Sequence, residues 1–196
     1  MSIGSIRISA EKSSPGLRAI DDLFSTLIPD ATASATSPMY RNDPDTVVLK
    51  AVNGEGDLVG ALTAHSDRPD LAQIPPQVRV RLGSPSSGAV RIITQMAVRP
   101  EVQRQGVGSQ LLAAAEADFS ASGANLSLLF VDDRSEAGSA SFYLSQNYVR
   151  GAEHTEARGT APTWLPETAG LYRVVSVARS GWFFYKEISV PGAFSP

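Results

Sequence analysis

At 196 residues with 42% hydrophobic side chains, the chain is long enough to bury a core and is expected to form a single domain over residues 1–196. A formal net charge of −3 speaks against a nucleic-acid-binding surface, and the lack of cysteine excludes disulfides, thiolate metal sites and cysteine nucleophiles. His65 and His154 lack metal-ligand spacing, no apolar run reaches membrane-spanning length, and no signal-peptide pattern opens the chain, so a cytoplasmic protein with no metal and no membrane partner is expected.

In chain order, Ser5 to Ala10 alternates and reads as a strand. Ser13 or Ser14 is placed to N-cap a helix whose first position is Pro15. Leu17, Ile20, Phe24 and Leu27 recur at helical spacing before Pro29 stops it. Residues 30–45 are small, polar and proline-containing, and read as a loop. Thr46 to Val52 and Leu58 to His65 are strands of a hairpin turned by Asn53-Gly54-Glu55-Gly56-Asp57. Residues 66–88 form a long insertion, with Arg79 and Arg81 assigned to an edge strand.

The stretch from Ala89 to Phe119 then reads as strand, tight turn and helix. Val90, Ile92, Thr94, Met96 and Val98 share one face of the strand, and Ile93 and Ala97 make the other partly apolar. This pattern suits a strand covered on both sides. Pro100 ends it, having no N–H for a ladder. Leu111, Leu112, Ala115 and Phe119 define the helix, and Gly123 is expected to close it. Ala124 to Val131 is a further strand, parallel to 90–98 if the helix is its right-handed crossover. Ser135 to Gln146 reads as a helix broken by Asn147-Tyr148, and residues 150–170 as irregular. Leu171 to Ala178 and Trp182 to Val190 read as a closing hairpin. Trp182, Phe183, Phe184 and Tyr185 put aromatics on both faces of its second strand, so that strand sits centrally or meets a second subunit, and a homodimer is one expectation.

The turn at 103–109 has the composition of an anion cradle. A helix start presents unpaired N–H groups and partial positive charge, and Gly106 and Gly108 remove the Cβ atoms that would hold an anion away. No Lys-Ser or Lys-Thr follows the second glycine, which speaks against a P-loop. Leu111 stands where a dinucleotide fingerprint needs its third glycine. The pattern Gln/Arg-x-x-Gly-x-Gly/Ala, met by Gln103, Gly106 and Gly108 between a strand and an amphipathic helix, resembles the acetyl-CoA-binding motif of the GCN5-related N-acetyltransferase (GNAT) superfamily.

That resemblance covers residues 89–149 by motif and the rest by element order. It implies an α/β (α+β) GNAT-like domain. Its sheet would be mixed, mostly antiparallel and about seven-stranded, with helices on both faces and a splayed parallel pair at the CoA site. It implies acetyl-CoA as co-substrate, held by Gln103, Arg104, Gln105, Gly106, Val107, Gly108 and Ser109. A backbone N–H near Met96, Ala97 and Val98 would meet the oxyanion, on an edge that pairs with the pantetheine arm. It places Tyr143, in the run Phe142 to Tyr148, beside the CoA sulfur as the donor of a proton or hydrogen bond. Glu136 and Ser139 depart from the Asn and Ala common before that tyrosine, and Asn147 replaces a glycine. The family's loop after the first helix often serves the acceptor, which makes Tyr40, Arg41, Asp43 and Asp45 candidates. Some members carry a glutamate where Ile92 stands. Gln95 is no base, and Asp132, Asp133, His65 and Glu136 are left as groups that act through water. The implied activity is direct transfer of an acetyl group to a primary amine of a small molecule or peptide. The rivals are a silent acyl-CoA-binding module of the same fold and, more weakly, a nucleotide-binding domain.

Overall fold

The structure is a computed structural model and describes residues 5–28, 35–36, 46–66, 90–133, 136–155, 163–165, 170–172 and 180–188. The loop candidates Tyr40, Arg41, Asp43 and Asp45 and the strand assigned to Arg79 and Arg81 lie outside the described residues. The elements are β1 (Arg7–Ala10), α1 (Ser14–Leu27), β2 (Val47–Val52), β3 (Leu58–Ser66), β4 (Val90–Val98), a 3-10 turn (Pro100–Val102), α2 (Val107–Ala121), β5 (Leu126–Asp132), α3 (Glu136–Ser145), β6 (Val149–His154), β7 (Thr163–Leu165), β8 (Gly170–Tyr172) and β9 (Gly181–Glu187). Seven strands form one mixed sheet in the order β1-β2-β3-β4-β5-β9-β6, with β4 and β5 parallel, and β7 pairs with β8 apart from it. This is the expected α/β architecture. The chain divides into two compact units, Met1–His65 with Ile93–Asp118, and Ser66–Ile92 with Phe119–Pro196.

In the first unit, Ser13 caps α1 by accepting the Gly16 N–H at 3.1 Å, and the helix buries Leu17, Ile20, Leu23 and Phe24 on one face. These side chains pack with Val48, Ala61 and Ala97. Just before the cap, the buried Glu11 carboxylate accepts the N–H groups of Lys12 and Ser13 and pairs with the Lys50 ammonium. The bonds from Lys50 and then Ser13 lower its pKa from 4.5 to about 2. The β2–β3 hairpin is turned by Asn53, whose side-chain oxygen accepts the N–H groups of Glu55 and Asp57. Gly60 brings α2 close, because a Cβ there would lie 3.1 Å from the Ala97 carbonyl and 3.2 Å from Leu111.

Burial along β4 alternates, and it does so against expectation. Arg91, Ile93, Gln95 and Ala97 form the buried face, whereas Val90, Ile92, Thr94, Met96 and Val98 are only half-buried. The apolar face is therefore incompletely covered. Of the two polar residues on the opposite face, Arg91 donates to the Ser122 hydroxyl at 2.9 Å, just past the end of α2.

In the second unit, β9 lies between β5 and β6, antiparallel to both. One expectation fails here. The segment 150–170 is not wholly irregular, since β6 begins at Val149 and joins the sheet. The hairpin expected of 171–178 with 182–190 falls largely outside the described residues; among those described, Leu171 and Tyr172 belong to β8, which pairs with β7, and β9 pairs with β5 and β6. A central strand needs apolar side chains on both faces, which accounts for Trp182 to Tyr185 and removes the ground on which a dimer was inferred. One face of this sheet packs Leu128 and Phe183 with Val90, Ile92, Phe130, Ala152 and Tyr185. Gly181 is obligatory there, because an added Cβ would overlap the Val131 carbonyl and the Phe130 ring.

Candidate functional site

The first unit contains the cradle. β4 ends at Val98, and the short 3-10 turn that starts at Pro100 closes with the Gln103 N–H donating to the Pro100 carbonyl at 3.2 Å. Arg104 then takes φ +59° and Gly106 φ +82°. These two left-handed residues reverse the chain so that α2 starts directly beneath the turn. The first α-helical bond runs from the Gln110 N–H to the Gly106 carbonyl at 3.0 Å, so the N–H groups of Val107, Gly108 and Ser109 precede the helical ladder and point out of its end.

Side chains fix this backbone from behind. The Gln103 amide donates to the Val98 carbonyl at 3.0 Å and the Gln105 amide to the Glu101 carbonyl at 3.3 Å. Val107 is buried, so its side chain anchors the helix and only its backbone belongs to the cradle. Arg104 is exposed and is the single cation in the segment from 103 to 109. An arginine held at positive φ costs about 1 kcal/mol or more. Nothing in the sequence pattern signals that strain. The donor set suits a diphosphate: three helix-start amides, a glycine whose missing Cβ keeps the mouth open, and one adjacent guanidinium.

At the end of β4, the Arg99 N–H donates to the Val59 carbonyl at 2.9 Å, and the Ala97 carbonyl also lies against β3 beside Gly60. Strand alternation then turns the backbone groups of Met96 and Val98 away from β3. Of the three residues assigned to the oxyanion edge, Ala97 therefore shares the β3 side and Met96 and Val98 do not. On the half-buried face of β4, Thr94 donates its hydroxyl proton to the Thr63 carbonyl at 3.2 Å and accepts the Thr63 hydroxyl at 3.0 Å.

Tyr143 belongs to the second unit, on the last turn of α3. Its ring is buried and packs edge-on against Phe142 and Tyr148, with centroids 5.2 and 5.7 Å away, and tilted against Phe184 at 6.3 Å. Burial alone raises the phenol pKa well above its ordinary value near 10, so the group keeps its proton across the physiological range. α3 closes in a Schellman arrangement: Asn147 takes φ +65°, its N–H donates to Leu144 O at 3.1 Å, and the Tyr148 N–H donates to Tyr143 O at 3.0 Å. The Tyr148 hydroxyl lies 2.7 Å from the Ser127 hydroxyl, both buried. Ser127, a lone hydroxyl in the apolar strand LSLLFV, was the sequence signal for that contact, since a buried hydroxyl needs a partner.

Of the groups left as possible bases, His65 belongs to the first unit and Asp132, Asp133 and Glu136 to the second; His154 is not among them. His154 is fully buried on β6 with Phe130 edge-on at 6.2 Å, and His65 is half-buried near the end of β3. Asp132 and Asp133 close β5, where the Asp133 N–H donates to the Ser180 carbonyl at 3.0 Å. Among the described residues no three His, Cys, Asp or Glu side chains converge as metal ligands, and no helix is long and apolar enough to cross a membrane.

A family model described as the Acetyltransferase (GNAT) family matches residues 17–148, reaching across both units. The chain belongs to the GNAT acetyltransferase family. Solved structures share its fold at low identity. Ard1 from Thermoplasma volcanium superposes with a TM-score of 0.65 at 13% identity, covering 94% of this chain and 98% of that one. The ribosomal-protein-S18-alanine N-acetyltransferase from Escherichia coli gives 0.63 at 15%, covering 98% and 99%. An acetyltransferase from Bacillus subtilis in complex with CoA gives 0.58 at 16%, covering 96% and 100%. No curated protein sequence matches the chain.

Proposed function

We propose that this protein transfers the acetyl group of acetyl-CoA to a primary amine of a small molecule or peptide by direct attack, as one acetyltransferase domain. The observation that carries the reading is the cradle: two left-handed residues, Arg104 and Gly106, opening onto the unladdered amides of Val107, Gly108 and Ser109. Those amides and the Arg104 guanidinium bind the CoA diphosphate, with Gln103 and Gln105 holding the turn. The backbone of Met96 to Val98 lines the pantetheine arm, and Met96 or Val98, turned away from β3, supplies the N–H for the oxyanion.

The amine nitrogen attacks the thioester carbon as the free base, the C–O double bond becomes an oxyanion, and its return expels the CoA thiolate while the nitrogen loses its proton to solvent. Tyr143 meets the departing sulfur. A thiolate has an ordinary pKa near 8.5, below that of a buried phenol, so Tyr143 acts as a hydrogen-bond donor to the developing charge more readily than as a full proton donor.

A second reading, a silent acyl-CoA-binding module, draws on one observation: Ile92, where some family members carry a glutamate, is packed into the cluster of Leu128 and Phe183. Calorimetric titration with acetyl-CoA tests the common core of both. Micromolar binding that is lost in Gly108→Trp is expected; no binding by the folded wild type sinks both. Thiol release with a panel of amines then separates enzyme from module.

A further inference from the structure

We propose that Tyr148 and Ser127 form a buried strut that sets the direction of the Tyr143 phenol, making both of them positioning residues for the acetyl transfer; this rests on the role proposed for Tyr143. Tyr148 is held at four points. Its hydroxyl meets Ser127 on β5 at 2.7 Å. The Lys186 ammonium lies 5.6 Å from its ring centroid, and Lys186 stands directly opposite Ser127 in the β5–β9 register. Its N–H donates to the Tyr143 carbonyl, and its ring packs on the Tyr143 ring at 5.7 Å. Two of these points seat Tyr148 on the middle of the sheet and the other two grip Tyr143.

A hydrophobic contact across a Schellman closure needs only an apolar pair. Here the pair is two phenols, and one of them is oriented by a hydroxyl set into an otherwise apolar strand. Ser127 is fully buried, so its oxygen is tolerated only with a partner, and that partner is Tyr148. A phenylalanine at 148 over an alanine at 127 would fill the same space without fixing the rotation of the ring. The strut therefore does what packing alone does not: it fixes the tilt and depth of the ring against which Tyr143 lies. Placement of a reacting group to within about an ångström governs rate by up to about 10²-fold.

The test uses the full chain with ring-labelled tyrosine, the Tyr143 signal being assigned by its loss in Tyr143→Phe. The variants are Tyr148→Phe, Ser127→Ala and the double variant, with Tyr185→Phe, on the opposite face of β9, as control. The expected result is that the Tyr143 signal shifts and broadens in Tyr148→Phe and Ser127→Ala and stays put in Tyr185→Phe. Acetyl-CoA affinity by calorimetry is unchanged, and kcat with an accepted amine falls about tenfold. In the Tyr143→Phe background the same substitutions leave kcat where it is. The double variant recovers the melting temperature lost by either single one but not the rate. An unmoved Tyr143 signal in both single variants overturns the proposal, as does an equal loss of kcat with and without the Tyr143 hydroxyl. If Tyr143→Phe retains full kcat, the catalytic reading of Tyr143 falls, and the Tyr143 signal still decides whether the strut orients it. Should Tyr148→Phe not fold, Ser127→Ala, which removes a single oxygen, carries the test.

Discussion

α2 and α3 end in the same hydrogen-bonded motif with different residues in it. At α2 the left-handed residue is Gly123 (φ +79°), with the Gly123 N–H on Ser120 O at 3.0 Å and the Ala124 N–H on Phe119 O at 2.9 Å. At α3 it is Asn147 (φ +65°), with Leu144 and Tyr143 as the acceptors. The pair bridged by the motif is Phe119 and Ala124 in the first case, both fully buried and apolar. In the second it is Tyr143 and Tyr148, both buried with hydroxyls to satisfy. One closure serves only packing; the other spends a packing position on a phenol, which is expected where a side chain has chemistry to do.

The largest effects separate stability from rate. Phe119→Ala deletes a buried ring and is expected to cost about 3–5 kcal/mol of stability, read by denaturant unfolding. Tyr143→Phe keeps the ring and removes the donor proposed to meet the departing sulfur. It is expected to lower kcat about 10²-fold in a thiol-release assay while changing stability by less than about 1.5 kcal/mol. If Tyr143→Phe behaves as Phe119→Ala does, costing stability and leaving the rate per folded molecule intact, the two closures are alike and Tyr143 is a core residue.

Alkaline pH gives the next contrast. Burial raises the Tyr143 pKa above its ordinary value near 10, so above pH 10 the unfolded chain releases a proton that the folded one retains. Stability from this group is complete below pH 10 and declines as pH rises beyond it. The melting temperature of the wild type should therefore fall more steeply from about pH 10 upward than that of Tyr143→Phe. Parallel slopes would mean the phenol is not desolvated.

Which parts of this were legible in the sequence follows from what each part needs. Gly106 and Gly123 occupy left-handed positions, and residue type betrays such positions because a glycine meets them at least cost. The Ser13 cap and the helical stripe of α1 are equally local. Arg104 is illegible for the converse reason, since a residue at positive φ that is neither Gly nor Asn carries no compositional mark. The place of β9 depends on pairing with β5 and β6, far off in sequence, and the aromatics on its two faces fit a central strand and a subunit contact equally well. β4 misled because its apolar alternation marks the half-buried face, while Arg91 and Gln95 lie on the buried one.

The smallest effects test the left-handed residues themselves. A Cβ at Gly123 would meet nothing within 4 Å, so Gly123→Ala costs only the backbone strain of its positive φ, about 1 kcal/mol, or a melting temperature about 2–4 °C lower. Asn147→Gly runs the other way. Asparagine tolerates this conformation less readily than glycine, and Asn147 is exposed, so the substitution should stabilise by a few tenths of a kcal/mol and raise the melting temperature by about 1 °C. With kcat unchanged, that outcome makes the two closures interchangeable in their backbone and leaves Tyr143 and Tyr148 as their whole difference. A loss of kcat in a more stable Asn147→Gly protein would instead place the asparagine side chain in the working site, a role Gly123 has no means to play.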